Sequence, residues 1–469
     1  MSVRPLFSTF ETRSLEAWAN SHLPKHTLMQ RAGLAVARLA VAVAPHAHVI
    51  WIACGPGNNG GDGFEAARHL KLWGKCPVIT TVSEREGLPA DAAASRQNAI
   101  EAGVIFAVKA PDQYDLCIDA IFGIGKIRQL GASYRDWIDQ INSAAAPVLA
   151  VDIPSGLDAD TGTQTIKCVQ ADYTLSLLTL KPGAFTADGR DACGEIWFNK
   201  LDVDQPEGMC AELNSEPHTM VRAHNTHKGS FGDVSIVGGS DGMAGAALLA
   251  ALAALHGGAG RVYLTMLDIA IARLDTNQPE IMFRNLSELD YGSMVIVAGC
   301  GGGNSITQHL DDILDRSTRL VLDADALNSI AQDACLQHKL VGRKPHTTVL
   351  TPHPLEAARM MGIQAADVQA NRLYVAQAMA DRFARTVVLK GSGTIIAAPG
   401  RVPRINTTGN ARLATAGTGD VLAGLIGARL ASQRSAFQCA CESTYLHGRV
   451  AGAWNKSYAM SAHDLAKNL

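Results

Sequence analysis

The sequence predicts an α/β protein of two domains, each a parallel sheet with helices on both faces. Three observations predict it. Short apolar runs alternate with helical or turn-rich stretches over most of the 469 residues, the rhythm of parallel strands joined by crossovers. Glycine-rich loops close several of those runs, most densely GPGNNGGDG from Gly55 and NTTGNARLATAGTGD from Asn406. Between the halves lies DQPEGMCAELNSEPH, Asp204 to His218, which has prolines and polar residues but no periodicity and reads as a linker. Domains over residues 1–210 and 218–469 are therefore expected, and with 47% hydrophobic residues each can bury its own core.

Composition narrows the function. A net charge of -3, 5% aromatic residues and no long Lys/Arg run exclude a nucleic-acid footprint and favour a small-molecule ligand. The 10 cysteines are scattered, without Cys-x-x-Cys, which argues against a zinc site and a disulfide framework and fits a reducing cytosol. The start, MSVRPLFSTFETRSLE, lacks a signal-peptide core, and the runs Ala32–Val43 and Met243–Leu255 are too short for a bilayer. A cytoplasmic protein with no membrane partner is expected.

In chain order, Thr12–Ala44 reads as helix, with Leu28, Met29, Ala32, Leu34, Ala35 and Leu39 on its apolar side and Pro45 ending it. The strand His48–Cys54 then feeds the first glycine loop and a helix from about Gly61 to Trp73. Gly55, Gly57 and Gly60 match G-x-G-x-x-G, so an ordinary dinucleotide site is one reading. Against it, the acid expected about 20 residues on is replaced by Asp62 inside the loop, where its charge would repel a pyrophosphate. Asn58, Asn59 and Asp62 look like ligands themselves. Strands at Pro77–Val82, Tyr114–Ile121 and Val148–Ile153 should share a crevice at their carboxyl ends. Asn59, Asp119 and Asp152 with Ser155 enter it as an all-oxygen set suited to a hard, weakly held cation, although Asp119 and Asp152 could instead cap turns.

Three spaced motifs, GPGNNGGDG, DAIFGIGKIRQLGASY and VDIPSGLDADTG, resemble the YjeF N-terminal domain, the NAD(P)H-hydrate epimerase, over about residues 10–205. The resemblance implies a Rossmann-like three-layer αβα domain. It also implies that Asn58, Asn59, Gly60, Gly61, Asp62, Gly123, Ile124, Gly125, Lys126, Ile127, Arg128, Gln129 and Asp152 line a hydrated-dinucleotide site. Potassium would sit on Asn59, Asp119 and Ser155. Asp152 is the expected acid/base or stabilising carboxylate, with ring opening and loss and return of water both open as routes. The Gly125–Arg128 stretch departs from the family, where glycine and leucine more often precede basic residues.

From His227 the pattern restarts. HKGSFGDVSIVGGS gives a glycine turn and a strand, and Met243–His256 an apolar helix. Strands follow at Arg261–Met266, Met294–Ala298, Arg319–Leu322, Thr347–Leu350 and Thr386–Leu389, then TIIAAPG, with GCGGG, DADAL, TPHPLE and KGSGT at their ends. A helix from about Thr418 would aim its free N–H groups and positive dipole end into the loop of Gly417 and Gly419, a place for an anion. Asp420 at its mouth would stay ionised and accept a proton from a substrate hydroxyl, a phosphoryl-transfer arrangement; capping the helix is the plainer alternative.

HKGSFGDV, NQPEIM, DADALN, TPHPLEAARM, VVLKGSGT and NTTGNARLATAGTGDVLAG occur in the order of the ribokinase-like YjeF C-terminal domain, and about residues 218–469 resemble that ADP- or ATP-dependent NAD(P)H-hydrate dehydratase. The resemblance implies an αβα domain. It places adenine nucleotide on Lys390, Gly391, Ser392, Gly393, Thr394 and Gly419, and the hydrate on Ala246, Gly301, His353 and Asp420, with Asp420 as base. Magnesium would accompany ADP or ATP, and NADHX and NADPHX would be the substrates of a homo-oligomer. GCGGG departs from the family, which usually has proline second and leucine fourth. His353 could be a hydrogen-bonded loop histidine, and Lys390 a surface lysine. The implied function is repair of hydrated NAD(P)H by epimerisation and nucleotide-driven dehydration. A vitamin or sugar kinase with a regulatory first half, and a nucleotide sensor, are the alternatives; only a kinase would leave a stable phosphorylated product.

Overall fold

The computed structural model describes residues 4–82, 87–125, 131–164, 167–204, 208–217, 223–268, 278–432 and 434–469. The chain divides into two compact units, Pro5–Ala211 and, in its second part, Glu212–Leu469. Among the described residues no helix is long and apolar enough to cross a membrane.

The first unit is built on a seven-stranded sheet in the order Ile105–Ala107, Cys76–Thr81, Val49–Cys54, Leu116–Ala120, Val148–Val151, Tyr173–Leu177, Glu195–Asn199. Every pair is parallel. Burial on both faces makes Val49–Cys54 a continuous apolar run, and Leu116–Ala120 is as buried, its one charged residue being Asp119 at the end nearest the crevice. The chain leaves Val49–Cys54 toward one edge and returns on its other side at Leu116–Ala120, so a crevice opens between their carboxyl ends. Into it run the glycine loop, with its helix Asn58–Leu72, and the loop Ile121–Gly125.

The helix expected over Thr12–Ala44 is two helices, Thr9–His22 and Thr27–Val43. Pro24 cannot continue the first, and His26 takes a left-handed φ of 69° before the second begins. The strands Tyr173–Leu177 and Glu195–Asn199 were not anticipated; the latter is an edge strand with mostly exposed side chains and so has no apolar run.

In the second unit the order is Arg404–Ile405, Ile395–Ala397, Thr386–Leu389, Thr348–Leu350, Arg319–Leu322, Val295–Ala298, Asp233–Gly238, Arg261–Met266, Ile281–Phe283. From Thr386–Leu389 onward the pairs are parallel, and Ile395–Ala397 is antiparallel to both its neighbours. Ala211–Leu213, inside the stretch read as a linker, is a strand paired with Arg404–Ile405, and Asn214 Nδ2 donates to Asn406 Oδ1 and the Cys441 carbonyl. The switch in strand order falls between Asp233–Gly238 and Val295–Ala298. The loops beyond their carboxyl ends, Gly239–Met243 and Gly299–Gly303, therefore face a second crevice. Helices Ala244–His256 and Thr418–Ala431 pack together over the sheet, the latter starting at Gly417 with φ 92°.

Candidate active sites

The first crevice holds a cavity of about 590 Å³. Asn58, Asn59, Asp62, Gly123, Ile124, Gly125 and Asp152 line it, together with Glu16 and Lys181. Gly60 and Gly61 do not line it. A Cβ on Gly60 would lie 2.0 Å from the Gly55 carbonyl oxygen and one on Gly61 2.6 Å from the Met29 side chain, so these glycines let the helix start pack closely. Lys126, Ile127, Arg128 and Gln129 lie outside the described residues.

Asp152 follows Val148–Val151 with a left-handed φ of 69°, a strained conformation for a non-glycine residue of the kind found at functional sites. Its Oδ1 accepts from the Leu177 amide at 3.1 Å and from the Lys181 ammonium, which also donates to the Leu177 carbonyl at 2.6 Å. Lys181 is 1% exposed. A lysine held so deeply is stabilised by its carboxylate partner. Deep beside the crevice, Asp119 accepts from Ser155 N and Oγ at 2.8 and 2.6 Å and from the Ile121 amide at 3.2 Å. Burial, offset by those bonds, leaves its pKa at about 6. Asn59 is beside Gly123, whose Cβ would be 3.1 Å from Asn59 Oδ1.

In the second crevice Asp420 sits in the first turn of Thr418–Ala431. Its carboxylate, the Asp323 carboxylate and the Cys300 thiol have atoms within 4.8 Å of one another. Lys390 Nζ donates to Asp323 Oδ1 at 2.7 Å, and Thr351 Oγ1 donates to the same oxygen at 2.8 Å. A Cβ on Gly419 would be 3.3 Å from Lys390 Nζ, so the ammonium stands at the helix N-terminus. Burial disfavours the Lys390 charge, but Asp323, Glu356 and Asp420 outweigh it and raise its pKa. Behind this turn, His447 is buried and kept neutral by burial, with a pKa of about 4; its Nε2–H donates to the Thr418 carbonyl at 2.9 Å and fixes the helix start.

Gly301 has φ 57°, and its Cβ would be 2.5 Å from the Met243 carbonyl and 2.9 Å from Ala246 Cβ, which brings Ala246 and Gly301 together. Gly391 and Gly393 have φ 130° and 63°, Thr394 Oγ1 donates to the Gly391 carbonyl at 3.1 Å, and buried Arg372 donates to the Lys390 carbonyl at 3.2 Å; Ser392 is exposed at the loop tip. His353 caps the helix Pro354–Met361, its Nδ1 accepting from Leu355 N at 3.0 Å. It is thus the hydrogen-bonded loop histidine of the plainer reading. Burial and then Lys390 lower its pKa, so the same ring also lies within electrostatic reach of the lysine.

A family model described as NAD(P)H-hydrate dehydratase matches residues 234–469, and one described as YjeF-related protein N-terminus matches residues 25–183. The bifunctional NAD(P)H-hydrate repair enzyme Nnr of Escherichia coli (strain K12) is 35% identical over 446 residues, which cover 92% of this chain and 85% of that one. The chain belongs to the bifunctional NAD(P)H-hydrate repair enzyme family. Another enzyme of that name, from Vibrio cholerae serotype O1, is 33% identical over 94% of this chain and 92% of its own. The solved ADP/ATP-dependent NAD(P)H-hydrate dehydratase of Bacillus subtilis, co-crystallised with ATP and Mg2+, is 30% identical, covering 52% of this chain and 90% of that one at a TM-score of 0.45.

As a member of the repair enzyme family the chain is an enzyme of two parts, YjeF-type and then dehydratase-type. Two electrostatic expectations change. Asp62 is less ready to carry a charge that would repel a pyrophosphate, because burial, Asp152 and Glu16 push its pKa well up. Asp420 is less acidic than a helix N-terminus alone would make it: burial and then Asp323 raise its pKa to about 6, with Cys300 and Lys390 pulling the other way. Lys181, Glu16, Asp323 and His447 escaped sequence reasoning. Lys181 did carry a signal, since it follows the apolar strand residues of YTLSLLTL directly and precedes Pro-Gly.

Proposed function

We propose that the first unit interconverts the two epimers of hydrated NAD(P)H at Asp152, and that the second dehydrates one epimer with ADP or ATP, using Asp420 as base. The observation that carries the reading is Asp420 in the first turn of its helix with the Lys390 ammonium alongside, a proton acceptor and an anion cradle in one place. The hydroxyl of the hydrate lies on a ring carbon next to nitrogen, and hydroxide leaves that carbon poorly. Asp420 takes the hydroxyl proton as the terminal phosphoryl group transfers to the oxygen; the nitrogen lone pair then expels phosphate, and loss of the neighbouring C–H proton restores the dihydropyridine. A pKa of about 6 suits a base that must be ionised yet still basic at neutral pH. Lys390 and the N–H groups at Gly419 hold phosphoryl oxygens, and Asp323 holds the Lys390 ammonium in place beside the helix start.

Carboxylate oxygens are the donors magnesium prefers, and Asp323, the carboxylate not used as base, would hold it near the nucleotide phosphates, where it would neutralise their charge. Potassium also suits the first unit. Asp119 is fully buried beside the neutral oxygen Ser155 Oγ, and Asn59 Oδ1 faces Gly123 of the neighbouring loop, an oxygen set of the kind a weakly held monovalent cation takes. Asn59, Asp119 and Ser155 would hold the ion as fixed positive charge below the substrate loops. Ten free cysteines support a reducing, cytoplasmic setting.

The test supplies purified protein with mixed hydrate epimers, magnesium and either ADP or ATP. Return of dihydronicotinamide absorbance with release of phosphate is expected; a stable phosphorylated product and no absorbance would contradict the proposal in favour of a kinase.

A further inference from the structure

The first cavity contains more ionisable groups than Asp152 alone requires. Glu16 comes from the helix Thr9–His22, which precedes the matched YjeF-type region. That helix is firmly held. Ser8 and Glu11 form a capping box, Thr9 N and Oγ1 donate to Asp160 at 2.7 and 2.5 Å, and Thr12 Oγ1 meets Thr179 Oγ1 in the interior at 2.7 Å. The face so fixed turns Thr12, Arg13, Glu16 and Asn20 to the cavity, at the spacing of one helical side. Asn58 Nδ2 donates to Glu16 Oε1 at 3.4 Å, and Asp62 follows Asn58 by one turn. Three carboxyl groups, Glu16, Asp62 and Asp152, thus line the same cavity as one lysine, and that lysine is bonded to Asp152.

The groups that act on Glu16 are Asp152 and Lys181 from the loops at the sheet's carboxyl ends, Asn58 and Asp62 from the facing helix, and Arg13 from its own. Burial and then Asp152 raise the pKa of Glu16 and also that of Asp62, and of the two it is Glu16 whose carboxylate accepts from Asn58. Inversion by loss and return of water needs a proton donor for the departing hydroxyl and an acceptor for the incoming water, and Asp152, held as an acceptor by Lys181, is placed for the second role.

We propose that Glu16 is a catalytic residue of the epimerase site, the proton donor that works against the Lys181-bonded Asp152. The proposal rests on the epimerase reading of this cavity. The Glu16 carboxyl proton passes to the substrate hydroxyl oxygen. The C–O bond breaks with its electron pair leaving on water, and the ring-nitrogen lone pair forms a C=N bond. Water then adds to that carbon from the other face, the C=N pair returns to nitrogen, and Asp152 takes the proton of the incoming water. One proton has left Glu16 and one has arrived on Asp152, so the reverse passage, or exchange with solvent, resets the pair.

Glu16→Gln in the full chain tests this. Epimer exchange at neutral pH should fall about 100-fold or more in kcat, with KM little changed. The loss of exchange rate at high pH, which the acid imposes on the wild type, should disappear, and Glu16→Asp should restore part of the rate. Dehydration of the purified usable epimer, measured on the same sample, should match the wild type and so report a folded chain. Exchange by Glu16→Gln within twofold of wild type, a defect confined to KM with the high-pH limb intact, or loss of that limb in Asp62→Asn but not in Glu16→Gln would each overturn the proposal. Failure of the wild type to exchange epimers at all would instead overturn the functional reading, and the proposal with it.

Discussion

Each crevice pairs one lysine with one of several carboxylates, and the two differ in which carboxylate it takes. In the first, Lys181 binds Asp152, the residue expected to do the chemistry, and the groups left over, Glu16 and Asp62, are the ones with raised pKa values. In the second, Lys390 binds Asp323 and leaves the expected base, Asp420, unbonded to it, with a pKa of about 6. The carboxylate taken by the lysine is fixed in place as a hydrogen-bond acceptor, and the carboxyl groups left over are the ones with raised pKa values. Both sites are also built at the point where strand order reverses in a parallel sheet, so the difference lies in side chains rather than architecture.

The largest expected effect falls on the unbonded carboxylate. Asp420→Asn should lower the dehydratase kcat roughly 100- to 10,000-fold while nucleotide and hydrate still bind, and epimer exchange should be untouched. Steady-state rates with each purified epimer check this; a defect in binding alone would make Asp420 a helix cap.

Breaking the lysine pairs strands a buried carboxylate in each crevice. Lys181 is 1% exposed and Lys390 18% on their side chains. Lys181→Met strands a charge in the interior and should destabilise the first unit by about 3–5 kcal/mol. Lys390→Met should cost a comparable amount, because the carboxylate it strands, Asp323, is 2% exposed on its side chain against 12% for Asp152. Denaturant unfolding of the full-length variants checks this, and a cost near zero for either would show that its lysine does not stabilise the buried carboxylate.

The smallest effect is a shift in pH dependence. Asp420 must be unprotonated to accept a proton, so dehydratase activity should fall as pH drops through about 6. The Cys300 thiol lowers that pKa by hydrogen bonding, so Cys300→Ala should move the limb to higher pH. A limb that stays in place would remove the thiol from the electrostatics of the base.

Much of the fold was legible because strands buried on both faces are uninterrupted apolar runs, as in Val49–Cys54 and Val295–Ala298. Glu195–Asn199 was invisible for the opposite reason, and Ala211–Leu213 because three residues flanked by polar ones show no period. The glycine loops signalled both crevices, and Asn58, Asp62, Asp152 and Asp420 could be read from them directly. The lysine pairing could not. Lys181 and Asp152 are separated by 29 positions, and Lys390 and Asp323 by 67, and no local pattern says which acid a distant lysine will reach. His447 was hidden likewise, since its partner Thr418 is 29 residues away.

The most direct test of a two-site division of labour is the amplitude of absorbance recovery from mixed hydrate epimers with magnesium and ADP or ATP, compared between wild type and Asp152→Asn. The wild type should convert the whole mixture. Asp152→Asn should convert the usable epimer at the normal rate and then stop, and loss of both phases, or complete conversion at the wild-type rate, would contradict the assignment.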